Sequence, residues 1–199
     1  HGAPERAVIK AGLAMFVEKP VHMDTQDARE IAQLVDEASI ITATGYQERY
    51  LDIVDKTKEL LADRRVGFFM GYWMGGMPGR WWREKAKSGG QVHEQTTHEI
   101  DLARYLFGEA TRVYAVDRTG LLPDADYDIE EASAVSMQFE NGVFGVMFSA
   151  CFIQAGMRRS GLDIFCQDGS IEYRLRKSLT LSTAEGEHLW EAKNPYTLE

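Results

Sequence analysis

A chain of 199 residues, 44% hydrophobic and 27% charged, can bury one substantial core, or one domain and part of another. Its net charge of −9 opposes nucleic acid and anionic membranes as partners, because phosphate contacts need a concentrated basic face. The longest nearly uncharged stretch, Val66 to Gly79, holds five glycines and a proline and is too short to span a bilayer.

The opening HGAPERAVIKAG shows no basic region followed by an apolar run, so no signal peptide is visible. Cys151 and Cys166 sit in apolar, strand-like contexts and read as small core residues, which suits a reducing cytoplasm. Arg158, Arg159, Arg174, Arg176 and Lys177 read either as a local basic patch or as charges on solvent-facing strand positions.

In chain order, Glu5 to Ala11 reads as the end of a helix stopped by Gly12. Leu13 to Val17 is a short continuous apolar run, expected to be a strand buried on both faces. It ends in Glu18-Lys19-Pro20. Asp24 can cap a helix running to about Ala38, with Ala28, Ile31, Ala32 and Val35 at i, i+3, i+4 and i+7. A second short strand, Ile40 to Ala43, leads into Gly45-Tyr46-Gln47. Helix and strand alternate here, which indicates a parallel α/β layer, and residues 1–46 are assigned to it.

Residues 47–199 are expected to form an α+β domain. Its helices are predicted near Leu51 to Ala62 and Glu94 to Phe107, with an aromatic strand from Val66 to Trp73 between them. From Thr111 onward strands dominate. Val135, Met137 and Phe139 alternate with polar residues, Asn141-Gly142 supplies a hairpin turn, and Val143 to Phe152 returns as an apolar strand. Leu162 to Cys166 and Ser170 to Arg174, joined by Asp168-Gly169, suggest another hairpin. The fold class is therefore α/β plus α+β, the second part an open, largely antiparallel sheet with helices on one face.

Two segments carry candidate chemistry. Glu18-Lys19-Pro20 lies at the carboxyl end of a strand, where ligands of open α/β sheets bind. A lysine there can hold a hydroxyl and relay its proton, although the three residues alone read first as a surface ion pair at a strand end. In Gly89 to Asp101, a helix that includes Glu94 puts Glu94, His98 and Asp101 at i, i+4 and i+7, on one face. A carboxylate one turn from an imidazole can orient it and hold its proton near neutral pH. A polar cluster on a helix surface is the alternative. A zinc site fails on geometry, because Thr97 stands where H-E-x-x-H needs its second histidine and His93 and His98 point to different faces.

Taken together these segments resemble the glucose-fructose oxidoreductase / inositol dehydrogenase (Gfo/Idh/MocA) family. AGLAMFVEKP, residues 11–20, is similar to the family's A-G-K-H-V-x-x-E-K-P signature, and His1 matches a histidine often found upstream. Trp82-Arg83 with Ser88-Gly89-Gly90, then His98-Glu99-Ile100-Asp101-Leu102 with Gly108-Glu109, and Phe139-Glu140-Asn141-Gly142 resemble further motifs in the same order.

The resemblance implies a Rossmann domain followed by an open-sheet domain, with a small-molecule substrate between them and NAD or NADP as cofactor. It gives Lys19 and His98 the acid/base roles. Glu94 stands where members often carry Asp, which keeps the charge but moves the carboxylate. Glu18, Lys19, Pro20, His1, Trp82 and Arg83 become candidate cofactor contacts, and Gln47 and Asp101 candidate substrate contacts. A homo-oligomer, a dimer or dimer of dimers, is implied as well.

The chain has no G-x-G-x-x-G, and the family's usual helices after Asn194-Pro195-Tyr196 are absent. It is therefore expected to be an interior piece that is inactive alone and does not bind dinucleotide at ordinary affinity, since pyrophosphate needs that glycine-rich helix start. The expected activity of the parent is hydride transfer between NAD(P) and a sugar, polyol or related hydroxy compound. The alternatives are a non-catalytic cofactor-binding sensor of the same fold and a pure oligomerisation module.

Overall fold

The computed structural model describes residues 1–122 and 126–193. They fall into two units, His1–Gln47 and Glu48–Glu199; the segment Asn194-Pro195-Tyr196 lies outside the described residues.

In the first unit, α1 (Ala3–Lys10) starts with Pro4 in its first turn, where a missing N–H costs nothing. Gly12 then takes a positive φ of 66° and turns the chain into β1 (Met15–Val17). Asp24 caps α2 (Thr25–Ala38) by accepting from the Asp27 amide at 2.9 Å. Its left-handed C-cap is Ser39, and β2 (Thr42–Thr44) follows, paired parallel to β1 with Met15 opposite Thr42.

The expectation that the first strand is buried on both faces is not met, since Phe16 is 68% exposed and Ile41 81%. Each strand has only three residues, and α1 is the helix that packs on β1, so alternate side chains of the pair stay open.

The second unit is built on one eight-stranded sheet. Helix α3 (Asp52–Ala62) leads into β3 (Val66–Met74). A 3₁₀ turn (Arg80–Arg83), the short α4 (Lys85–Ser88) and a π-helical turn (Val92–Thr96) then run into α5 (Thr97–Phe107). After these come β4 (Ala110–Arg118), β5 (Ala132–Phe139), β6 (Phe144–Ala150), β7 (Arg159–Cys166), β8 (Gly169–Arg174), β9 (Ser178–Thr183) and β10 (Gly186–Glu191). The strand order is β10-β9-β8-β7-β3-β6-β5-β4. All neighbours are antiparallel except β3 and β6, which pair parallel in the interior. An open, largely antiparallel sheet with helices on one face is what the hairpin signals implied.

The core lies between that covered face and helices α3 and α5. Phe69, Met147, Leu162, Ile164 and Tyr173 from the sheet are buried with Ile53, Val54, Leu102 and Phe107 from the helices. Glycine in β3 and β6 makes the fit possible. A Cβ on Gly71 would run into Met147 and lie 2.8 Å from Leu162 Cδ2, and one on Gly145 would meet the Phe69 ring. On the open face Phe68, Met70, Tyr114, Phe144 and Phe148 are exposed.

Cys151 and Cys166 are free thiols, the first buried and the second half-buried. Burial pushes the Cys151 thiol up to about 11, with the neighbouring Glu131 charge adding to it. A thiol held protonated in this way is inert packing rather than a nucleophile.

Candidate active site

In the first unit Glu18, Lys19 and Pro20 leave the carboxyl end of β1. The adjacent end of β2 is tied to it, since the Gly45 amide donates to the Val17 carbonyl at 2.8 Å. Gly45 packs closely here: a Cβ would lie 2.8 Å from Glu18 Oε2 and 3.4 Å from the Lys19 amide nitrogen. The Lys19–Pro20 peptide is cis. After it the chain turns through His22, whose Nδ1 accepts from the Asp24 amide at 3.0 Å.

The start of α1 approaches the same turn, because a Cβ on Gly2 would lie 3.3 Å from His22 Nε2. His1 Nδ1 and Glu5 Oε1 are 2.7 Å apart, so His1 is held by its own helix. Gln47 is exposed and begins the 3₁₀ turn Gln47–Tyr50.

In the second unit the predicted helix from Glu94 to Phe107 is two structures. Val92–Thr96 forms a π-helical turn and the α-helix starts only at Thr97. The wider i→i+5 turn changes the phase between Glu94 and His98 that a continuous α-helix would set. Both side chains are nevertheless buried, each 7% exposed. The His98 ring stacks beside Trp73 of β3 at 6.5 Å between centroids.

Ser88-Gly89-Gly90 explains how the chain enters this turn. Gly89 ends α4 in the left-handed region at φ 79°, and Gly90 follows at φ 108°. A Cβ on Gly90 would lie 2.6 Å from Glu130 Oε2, so the second glycine lets the carboxylate in. Glu130 Oε1 then accepts from the Val92 amide at 3.0 Å, at the start of the π turn, with Lys85 Nζ 3.5 Å from its other oxygen. Farther in, Thr96 and Ser149 hydroxyls lie 2.6 Å apart and tie the end of the turn to β6.

The remaining candidates have structural partners. Asp101 accepts both Nε (2.7 Å) and Nη2 of Arg49 in a two-pronged pair, so its oxygens are already engaged. Arg83 donates to the Pro78 carbonyl and to Asp126 at 2.7 and 2.6 Å, fastening the segment before β5 onto the 3₁₀ turn. Trp82 packs on Trp81 with ring centroids 5.2 Å apart and is 39% exposed.

Sequence reasoning missed Trp73, Gln95 and Glu130. Trp73 and Gln95 line a cleft of about 470 Å³ at the end of β3, together with Arg158, Arg159, Arg174 and Lys177. Only the basic run around Arg158 and Arg174 hinted at it. Among the described residues no group of three or more His, Cys, Asp or Glu side chains is arranged to hold a metal ion. No helix among them is long and apolar enough to cross a membrane.

Residues 59–172 match the GFO/IDH/MocA C-terminal domain. The chain is 25% identical over 203 residues to the 1,5-anhydro-D-fructose reductase of Ensifer adhaerens, covering 94% of this chain and 59% of that protein. It superposes with a TM-score of 0.80 and 26% identity on GenD2 from gentamicin A biosynthesis, solved in complex with NAD, covering 89% of this chain and 52% of that one. A levoglucosan dehydrogenase in complex with NADH and levoglucosan shares the fold at a TM-score of 0.83 and 22% identity, over 96% and 57% of the two chains. The chain spans between 28% and 59% of the length of the curated relatives it matches.

Proposed function

The chain belongs to the GFO/IDH/MocA family, and we propose that the whole protein is an NAD(P)-dependent oxidoreductase acting on the CH–OH group of a sugar, polyol or related hydroxy compound. The observation that carries this reading is His98: an imidazole at the head of α5, mostly buried against Trp73, in a helix whose preceding turn supplies Glu94 and Gln95. Histidine titrates near neutral pH and suits the removal of a hydroxyl proton.

Lys19 is the second acid/base group, since the carboxyl ends of parallel strands form the ligand edge of such a sheet. Glu18, Lys19, Pro20 and His1, with Trp82 and Arg83, are the residues we assign to the cofactor. Bound nicotinamide supplies the hydride acceptor. Lys19 and His98 are each assigned an acid/base role in the hydroxyl's proton transfer, and Glu94 sets the charge around the imidazole. Gln47 is assigned to substrate, whereas Asp101 acts by holding Arg49.

The relatives that are named reductases or dehydrogenases of anhydrosugars and inositol support a small polyhydroxylated substrate. The two free thiols favour a cytoplasmic setting. The open sheet face, with Phe68, Tyr114, Phe144 and Phe148 exposed, is the surface we assign to self-association, as a dimer or dimer of dimers.

The test is reduction of NAD or NADP by the full-length protein with a panel of sugars and polyols. One or more should give turnover, and His98→Asn should lower kcat by on the order of 10²–10⁴ with cofactor affinity unchanged. Full activity of that variant, or no cofactor reduction with any hydroxy compound, would remove the reading.

A further inference from the structure

The chain carries a net charge of −9, yet the cleft at the end of β3 is lined by four cations, Arg158, Arg159, Arg174 and Lys177. Their pairing is uneven. Arg174 is neutralised: its Nη1 donates to Asp163 at 2.8 Å and its Nη2 pairs with Glu172. Arg159 lies over the Tyr72 ring at 5.2 Å from the centroid. Arg158 donates to the Ile153 carbonyl, at 3.4 Å. Among the described residues no carboxylate lies within ion-pair distance of Arg158, Arg159 or Lys177.

Two further features point to a ligand. The Arg158 guanidinium lies close over the Gly76 backbone, where a Cβ would be 2.7 Å from Cζ. On the wall nearest His98, the Gln95 amide oxygen is buried without a hydrogen-bond partner. It calls for a donor such as a hydroxyl.

We propose that this cleft binds the anionic end of the substrate, a carboxylate or phosphate carried by the sugar or polyol. Arg158 and Lys177 hold the charge, and Gln95 accepts from a neighbouring hydroxyl, while Arg159 lies over Tyr72. Arginine suits the role because its planar fork matches both anions. The proposal rests on the dehydrogenase reading for the site's role, but the binding itself does not depend on turnover.

The experiment is calorimetric titration of the full-length protein with three ligands of one carbon skeleton: glucitol, gluconate and glucitol phosphate. At least one anionic ligand should bind about tenfold or more tighter than glucitol, as one or two charge-assisted hydrogen bonds would give. Whichever of gluconate and glucitol phosphate binds tighter identifies the group. The preference should collapse in the double variant Arg158→Gln, Lys177→Gln, whose exposed positions leave the fold intact, and weaken in Gly76→Ala. Equal binding of all three ligands overturns the proposal, and so does a preference that survives the double variant. Cofactor reduction followed in parallel separates the two readings: absence of turnover with every ligand would sink the dehydrogenase assignment while the binding preference still decides the anion site.

Discussion

Replacing Glu99 with methionine removes a carboxyl group that is fully buried in α5 and has no hydrogen bond of ordinary geometry to either oxygen. Its surroundings worsen the cost. Glu48 is also buried, and its Oε1 accepts from Arg176 Nε at 2.8 Å, so the available guanidinium is already engaged. Burial pushes the Glu99 carboxyl well above the usual carboxylate range and the Glu48 charge adds to that, while its own backbone N–H and Arg176 pull the other way.

The sign of the pH effect follows. The folded state keeps the Glu99 proton where the unfolded chain, ionising near about pH 4.3, has lost it. Stability is therefore greatest below the unfolded value and falls as pH rises toward the raised folded value, by at most about 1.4 kcal/mol per pH unit. Methionine fills a similar volume with similar helix propensity and carries no unmet acceptor. Removing the two unmet acceptors should stabilise the chain by about 1–3 kcal/mol even at acid pH. The melting temperature should rise by about 2–4 °C for each kcal/mol.

Urea unfolding of wild type, Glu99→Met and Glu99→Gln at mildly acid and mildly alkaline pH checks this. The Met variant should be more stable throughout, by a margin that widens with pH. The Gln variant should lose the pH dependence but gain less at acid pH, because its amide is still unsatisfied. A constant margin, or a Met variant less stable at both pH values, would mean that Glu99 is charged and well paired in the fold, and the reasoning would fail.

In the full-length protein Lys19→Ala should cut turnover by on the order of 10²–10⁴, as steady-state rates at saturating cofactor would show; a variant that keeps most of its kcat would return Lys19 to the role of a surface ion pair. Gly71→Ala should destabilise the chain by about 1–3 kcal/mol in a urea titration, because the added methyl meets Met147 and Leu162 in a filled core. If the open sheet face carries the proposed self-association, Phe144→Lys should abolish it in light scattering without lowering the stability of the monomer. A wild-type full-length protein that stays monomeric at tens of micromolar would end that assignment.

Much of the second unit was legible in the sequence because its signals are local. Alternation along 135–139 marked the core face of β5, and the Gly-containing turns marked both hairpins, but not their register: the first loop is Glu140-Asn141-Gly142, with Phe139 donating to the Val143 carbonyl, and the second turns at Gln167-Asp168, with Gly169 already in β8 opposite Cys166. The hairpin of β9 and β10 was not read from the sequence, although Leu179 and Leu181 alternate with Ser178, Thr180 and Ser182 and both leucines face the core. Lys19, Glu94 and His98 were singled out by a strand-end position, by helical spacing and by the family resemblance, and the local pattern alone fits a surface ion pair and a polar helix face as well.

Tertiary structure decided the rest. Whether Asp101 faces a ligand or a guanidinium depends on Arg49, 52 positions away, and nothing local to α5 reveals that partner. The π turn at Val92–Thr96 is held by Glu130, 38 positions on from Val92, so helical spacing alone could not show that the α-helix begins at Thr97. The basic cleft joins Gly76, Gln95, Arg158 and Lys177 from four separate segments. Charge balance there is set by which arginine a carboxylate reaches across β7 and β8, and that pairing exists only once the strands are in register.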